Sequence, residues 1–197
     1  MREMLKMIIV LTVLCSFSGG LLAALRNGTQ EKIDNQQLKF VKGPAINAIL
    51  QGASNDPIAN RFKLKDAGVE KSFFVGIFNG EANTVAFESF GKGFGGDLGV
   101  MVGVNTKDDK IVGIGITTHS ETPGVGSRAK TDPAFAAQFK GLPLGDPYKV
   151  KADGGQVDAV SGATQTSRGV SAALTDAGEA YKRLKPQLTE KLKSVAK

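Results

Sequence analysis

The chain has 197 residues and a formal net charge of +6, with 41% hydrophobic and 22% charged residues, 25 glycines, one cysteine and one histidine. That length and balance suit one globular domain with an appendage and argue against wholesale disorder. A single Cys and a single His exclude an internal disulfide framework, CxxC-type zinc or iron–sulfur ligation and a multi-histidine metal site, so no metal is expected. The positive charge is spread along the chain with no compact basic run interleaved with aromatics, and no nucleic-acid partner is expected.

The first predicted element is the uncharged stretch from Met7 to Leu25. At about 1.5 Å per residue its length matches a hydrocarbon layer of about 30 Å. Arg2 and Lys6 precede it and Arg26 closes it. Two readings compete. Ser18 and Gly20 offer the small residues of a signal peptide cut after Gly20. The apolar run instead continues through Leu21, Leu22 and Leu25, which favours an uncleaved anchor. Leu14 stands where a lipoprotein needs a small residue before its cysteine, so Cys15 reads as one more apolar side chain. Gly19, Gly20, Ala23 and Ala24 leave room for a second membrane helix. Arg2, Lys6 and the terminal amine favour an inside N-terminus, which leans towards an exported domain. The expected division is 1–28 for tail and anchor and 29–197 for the domain.

Beyond the anchor, Ile33, Leu38, Val41, Ile46, Ile49 and Leu50 fall at helical spacing from Thr29 to Ala53, with an interruption expected near Gly43-Pro44. Residues 54–68 read as a connecting stretch. The period then shortens, and 73–78, 84–89, 99–104 and 111–117 read as strands. The polar turn Lys107–Lys110 makes an antiparallel hairpin of the last two, and the glycines from Gly91 to Gly99 separate the second from the third. A short helix is expected over 133–139. Val170, Leu174, Ala177, Tyr181 and Leu184 form the apolar stripe of a terminal helix, with a weaker continuation after Pro186. The fold class is α+β: a single N-terminal transmembrane helix, then a twisted antiparallel sheet covered by helices.

Two segments carry the functional signal. Val157 to Gly169 packs Ser161, Gly162, Ala163, Thr164, Thr166 and Ser167 ahead of the terminal stripe. A helix start with free N–H groups, hydroxyls and little bulk suits an anionic group, although the GxxxxGK[ST] spacing and its lysine are missing. Plain capping of the helix by Ser or Thr explains the same residues. The other segment, Thr118 to Ser127, follows the fourth strand and turns at Pro123-Gly124, with Glu121 and Thr122 placed to face a ligand. His119 has no evident nucleophile partner, and no acid/base pair can be read from spacing, so no catalytic residue is assigned.

Taken together, DAVSGAT (Asp158 to Thr164) resembles the D-x-x-[ST]-G-A-[ST] signature of covalent FMN-binding domains, and SETPGVG (Ser120 to Gly126) resembles their ETPGLG loop, with Val125 where Leu is usual. The glycine-rich run from Gly91 to Asn105 is similar to the corresponding part of those domains. With the N-terminal anchor, the order of parts resembles the G subunit of the Rnf complex, whose relative is the C subunit of the sodium-pumping NADH:quinone reductase.

The resemblance implies FMN joined by a phosphoester to Thr164, installed from FAD by a flavin transferase that reads Asp158 and the residues after it. Thr166 is the rival attachment point, set outside the motif by Gln165. Ser161, Gly162, Ala163 and Thr166 would surround the phosphate, and Glu121, Thr122 and Gly124 would contact the flavin ring or the phosphate. The implied function is electron transfer within a ferredoxin/NAD oxidoreductase complex coupled to ion translocation, as a redox subunit and not a stand-alone catalyst. The implied partners are the other Rnf-type subunits, including a second FMN-carrying membrane subunit. The implied location is the bacterial inner membrane, with the soluble domain on the periplasmic or extracellular side. The alternatives are a membrane-tethered domain binding an anionic ligand noncovalently, a scaffold without cofactor, or the equivalent subunit of a sodium-pumping NADH:quinone reductase.

Overall fold

The computed structural model describes residues 2–195. The chain forms two compact units, one ending at Phe40 and the other starting at Val41. The first is dominated by helix α1 (Arg2–Gln37). Its stretch Arg2–Gln30 is long and apolar enough to cross a membrane, and its large apolar side chains stand exposed, Leu11 and Phe17 among them. The Thr12 hydroxyl donates to the Ile8 carbonyl at 2.8 Å, satisfying inside the helix a polar group that lipid could not satisfy. The helical stretch expected from Thr29 thus continues α1 only as far as Gln37. The interruption comes at Leu38–Lys42, a single π-helical turn. Helix α2 (Gly43–Ile49) restarts with Pro44 in its first turn, where a missing N–H leaves no helical bond unmade.

The second unit is built on a five-stranded antiparallel meander in the order β1-β2-β3-β4-β5: Arg61–Asp66, Val69–Phe78, Glu81–Lys92, Asp97–Asn105 and Lys110–Ile116. Strand β1 falls inside the stretch read from sequence as a connector. It is a charged edge strand that alternates exposed Arg61, Lys63 and Lys65 with Phe62 and buried Leu64. Its lysines discourage pairing with another chain's edge. Ala67 and Gly68, both at positive φ, join β1 to β2, and Asn79 and Gly80, also both positive, join β2 to β3. Positive φ at both central residues is the geometry of the type I′ hairpin turn, which matches the natural strand twist. The β4–β5 hairpin turns through Thr106–Asp109 as the polar run at 107–110 predicts.

One sheet face is covered by α5 (Thr164–Val195), which buries Val170, Leu174, Ala177, Tyr181, Leu184 and Leu188 in the core with Phe73, Val75, Val85, Phe87, Val100 and Val102. Each such side chain contributes about 1.5–3 kcal/mol when fully buried. Pro186 lies within α5 and does not end it. The opposite face is flattened by Gly103, Gly113 and Gly115, so that Ala45 and Ile49 of α2 lie directly on the sheet. Short helices α3 (Arg128–Thr131) and α4 (Pro133–Ala137) follow β5. Asp132 caps α4 by accepting from the Ala134 N–H at 3.0 Å.

Candidate cofactor site

Three segments meet at the start of α5: the loop Gly93–Gly96 between β3 and β4, the loop Ser120–Ser127 after β5, and Val160–Ser167. Glu121 ties them together. It is 6% exposed. Its Oε1 accepts from the Gly95 N–H at 2.9 Å, and its Oε2 accepts from the Thr166 hydroxyl. The glycines nearby make this possible: a Cβ at Gly93 or Gly126 would occupy the space of the Glu121 carboxylate, and one at Gly95 would strike the Ser120 carbonyl. Further along the helix, Gly91 and Gly169 meet backbone to backbone. A sequence rich in glycine here therefore serves close approach, not flexibility.

The loop after β5 turns through Thr122-Pro123-Gly124-Val125, closed by Val125 N–H to the Thr122 carbonyl at 3.2 Å. Gly124 has φ +74°, which with proline before it makes a type II turn. The Ser127 hydroxyl oxygen accepts from the Gly124 N–H at 2.9 Å. Thr122 and Gly124 lie on the exposed side of this turn, next to exposed Val125. His119 Nδ1 accepts from the Glu121 N–H at 3.3 Å, so the sole histidine fixes the start of the loop.

The DAVSGAT motif makes a second turn. The Ala163 N–H reaches the Val160 carbonyl at 2.9 Å, and Gly162 sits at φ +78°. The Ser167 Oγ holds it shut, accepting from the Val160 N–H at 3.0 Å and donating to the Ala163 carbonyl at 3.1 Å. Ser167 and Thr166 are buried, Ala163 is buried, and Ser161 and Gly162 are exposed. Thr164 is the first residue of α5 and half-buried; its hydroxyl has no hydrogen-bond partner among the described residues. Asp158 is exposed. Gln138 clamps its backbone, accepting from the Asp158 N–H at 2.7 Å and donating to the Asp158 carbonyl at 3.1 Å. Its carboxylate pairs with Lys151 at 2.7 Å.

Of the residues singled out from sequence, Glu121 and Thr166 are in direct contact. Ser161, Gly162, Ala163 and Thr164 form one turn into one helix start. Thr122 and Gly124 sit on the outer surface of the neighbouring loop, and Asp158 leads into the motif from the side. Three features were not read from sequence. Phe94, at the tip of the glycine loop, is 77% exposed; an aromatic among glycines, in a loop needing no side chain, is the signal that could have found it. The Gln138 clamp joins residues 20 apart, and a fork from Arg168 to Asp153 joins residues 15 apart. Arg168 donates from Nε and Nη2 to both Asp153 oxygens at 2.7 Å, and this holds the Asp153 carboxyl below its ordinary range.

A family model for the FMN-binding domain matches residues 93–179, which takes in the glycine loop, the Glu121 loop and the start of α5. The G subunit of the ion-translocating oxidoreductase complex of Methanosarcina acetivorans is 31% identical over 178 residues, covering 89% of this chain and 93% of the relative. The protein of the same description from Pseudomonas aeruginosa is 30% identical over 186 residues, covering 88% and 86%. Among solved structures, the C subunit of the Na(+)-translocating NADH-quinone reductase of Parabacteroides distasonis is 28% identical with a TM-score of 0.52, over 59% of this chain and 63% of that one. The Shewanella oneidensis NqrC is likewise 28% identical with a TM-score of 0.52, over 70% and 72%. With two relatives matched along nearly their whole length, the chain belongs to the family of G subunits of ion-translocating oxidoreductase complexes.

Proposed function

We propose that the chain is a membrane-anchored FMN electron carrier of an Rnf-type ion-translocating oxidoreductase complex, with the FMN phosphate esterified to Thr164 Oγ1. The observation that carries the choice of residue is the state of the three hydroxyls on the first turn of α5, Thr164, Thr166 and Ser167. Thr166 is buried against Glu121 and Ser167 is bonded on both sides, whereas Thr164, between them and the exposed Gly162, has its hydroxyl unengaged among the described residues.

The residues present fit such a group. A phosphodiester on Thr164 places one negative charge at the start of a 32-residue helix, an arrangement that favours it by about 0.3–1 kcal/mol. Ser161, Gly162 and Ala163 crowd that position little. Exposed Phe94 and Val125 offer apolar surface on the two adjoining loops, and Thr122 and Gly124 line the outer side of the second. Glu121 and Thr166 hold those loops to α5 from beneath. Bound FMN supplies the redox chemistry, and the protein's share is attachment, orientation and exclusion of water. Asp158, exposed and with its backbone clamped by Gln138, is presented to a flavin transferase. The other subunits of the complex, including a second FMN-carrying membrane subunit, are the electron partners. Residues 1–28 serve as tail and inner-membrane anchor, and 29–197 as the FMN-bearing part on the periplasmic or extracellular side. The curated relatives matched at 30–31% identity along 86–93% of their length are G subunits of ion-translocating oxidoreductase complexes, which favours the Rnf-type complex over the sodium pump.

The test is a denaturing gel of the full chain made with an active flavin transferase and viewed under ultraviolet light, with peptide mass mapping. We expect a fluorescent band in the wild type and in Thr166→Ser, and none in Thr164→Ala. A dark wild type, or a fluorescent Thr164→Ala, overturns the assignment.

A further inference from the structure

Arg168 lies four residues after Thr164 on α5, so the two share a helix face with their Cβ atoms about 5–6 Å apart. Helical side chains lean towards the N-terminus, which carries the Arg168 stem back over the turn that Thr164 begins. In the structure its guanidinium is paired with Asp153, from the short 3₁₀ turn Lys151–Asp153, through the two-point fork. Both side chains are substantially exposed, at 45% and 38%. At that exposure the guanidinium stays open to water and to a second anion, so a phosphate can compete with Asp153 for it. Lys151 of the same turn pairs with Asp158, and Lys149 lies close enough to Asp153 to act on its carboxylate. Three cations and two carboxylates thus leave one positive charge in this cluster, and a phosphodiester on Thr164 brings one negative charge. No lysine or arginine occupies the residues from Val157 to Ser167, so Arg168 is the cation nearest in sequence to that phosphate.

We propose that Arg168 is a positioning residue for the FMN phosphate, held near Thr164 by Asp153 and transferred from that carboxylate to the phosphate when the flavin arrives. The inference rests on attachment at Thr164 as proposed above. During attachment the Thr164 oxygen forms a bond to the FMN-side phosphorus of FAD while the bond from that phosphorus to the bridging oxygen breaks. AMP leaves with the electron pair, and the hydroxyl proton passes to solvent. Arg168 meets the phosphate both before and after that exchange. Asp153 is the anion that competes for it.

The competition makes the test sharp. If Arg168 only braced the Lys151–Asp153 turn, removing either partner of the fork would have the same effect. As a phosphate contact the two should act in opposite directions. The full-length chain in detergent is given FAD and a flavin transferase, and the initial rate of incorporation is followed by intact mass at two salt concentrations. The fluorescence anisotropy of the tethered flavin is then recorded. We expect Arg168→Gln to take flavin at Thr164 on the order of fivefold more slowly, with a weaker salt dependence and lower anisotropy. Arg168→Lys should restore much of both, and Asp153→Asn should incorporate at least as fast as wild type with anisotropy at least as high. Equal rates and anisotropies in wild type and Arg168→Gln, or Asp153→Asn behaving as Arg168→Gln does, overturn the proposal while leaving attachment at Thr164 intact. A wild type that takes no flavin overturns both.

Discussion

The far half of α5 and its first turns hold the same sheet by different chemistry. From Leu174 to Leu192 the contact is a stripe of buried apolar side chains. At the start it is Gly169 against Gly91, Thr166 on Glu121 and Ser167 closing its own turn. The two arginine forks repeat the contrast. Arg183 grips Asp66 with both contacts at 3.0 Å, and the Asp66 side chain is only 7% exposed. Arg168 grips Asp153 with the same two-point geometry, but that carboxylate is 38% exposed. The buried Asp66 carboxylate is shielded from water and flanked by Lys71 at 3.9 Å as well as by Arg183, whereas the exposed Asp153 can surrender its arginine. The far half thus secures the fold, and the near end keeps hydroxyls and charge at the surface while glycine-permitted backbone contact keeps it rigid.

The widest separation of the two regions should come from Leu174→Ala. Deleting a fully buried leucine side chain costs about 2–5 kcal/mol, read as a lower denaturant midpoint for the full chain in detergent. The folded fraction should still take flavin at Thr164 at the wild-type rate; a slowed rate in that fraction breaks the division. Glu121→Ala should give the smaller loss and the larger effect on the site. It strands the buried Thr166 hydroxyl, at about 1–3 kcal/mol, frees the exposed Gly95 N–H, and so releases both loops from α5. Flavin incorporation should therefore fall by more than the unfolded fraction explains. Glu121→Gln, which keeps one acceptor oxygen, should lie between.

The same contrast explains what could be read from sequence. The α5 stripe was legible because Val170, Leu174, Ala177, Tyr181 and Leu184 repeat at the helical period, and that period is a local property. The β4–β5 hairpin was legible from its polar turn. Strand β1 was not, because Arg61–Asp66 offers only Phe62 and Leu64 as apolar positions. Its turn also places Ala67 in a left-handed conformation usually left to Asn, Asp or Gly. At the site, the motif residues were legible as a run of small and hydroxyl side chains. The inward turn of Glu121 was not, since its bond to Thr166 spans 45 residues. Nor could sequence divide Thr164, Thr166 and Ser167 into engaged and unengaged hydroxyls, because burial decides that and burial belongs to the assembled sheet and helix.

The smallest expected effect, and the most specific, concerns pH at the far fork. The Arg183 hydrogen bonds hold the Asp66 carboxyl below its ordinary value of 3.8, against the opposing effect of burial. A carboxylate whose pKa is lowered by folding releases its proton more readily in the folded chain, so its ionisation favours folding. That contribution is complete above the ordinary value and disappears as pH falls through the lowered one. Arg183→Gln should therefore be less stable than wild type at pH 7 and at pH 5. The gap between their denaturant midpoints should narrow below about pH 4, where Asp66 begins to take up its proton in the unfolded chain. Arg168→Gln should show a much smaller gap at every pH, because its partner Asp153 is exposed to water. A gap for Arg183→Gln that stayed constant from pH 7 to pH 3 would mean that packing of the arginine stem, and not the charge on Asp66, secures this end of the helix.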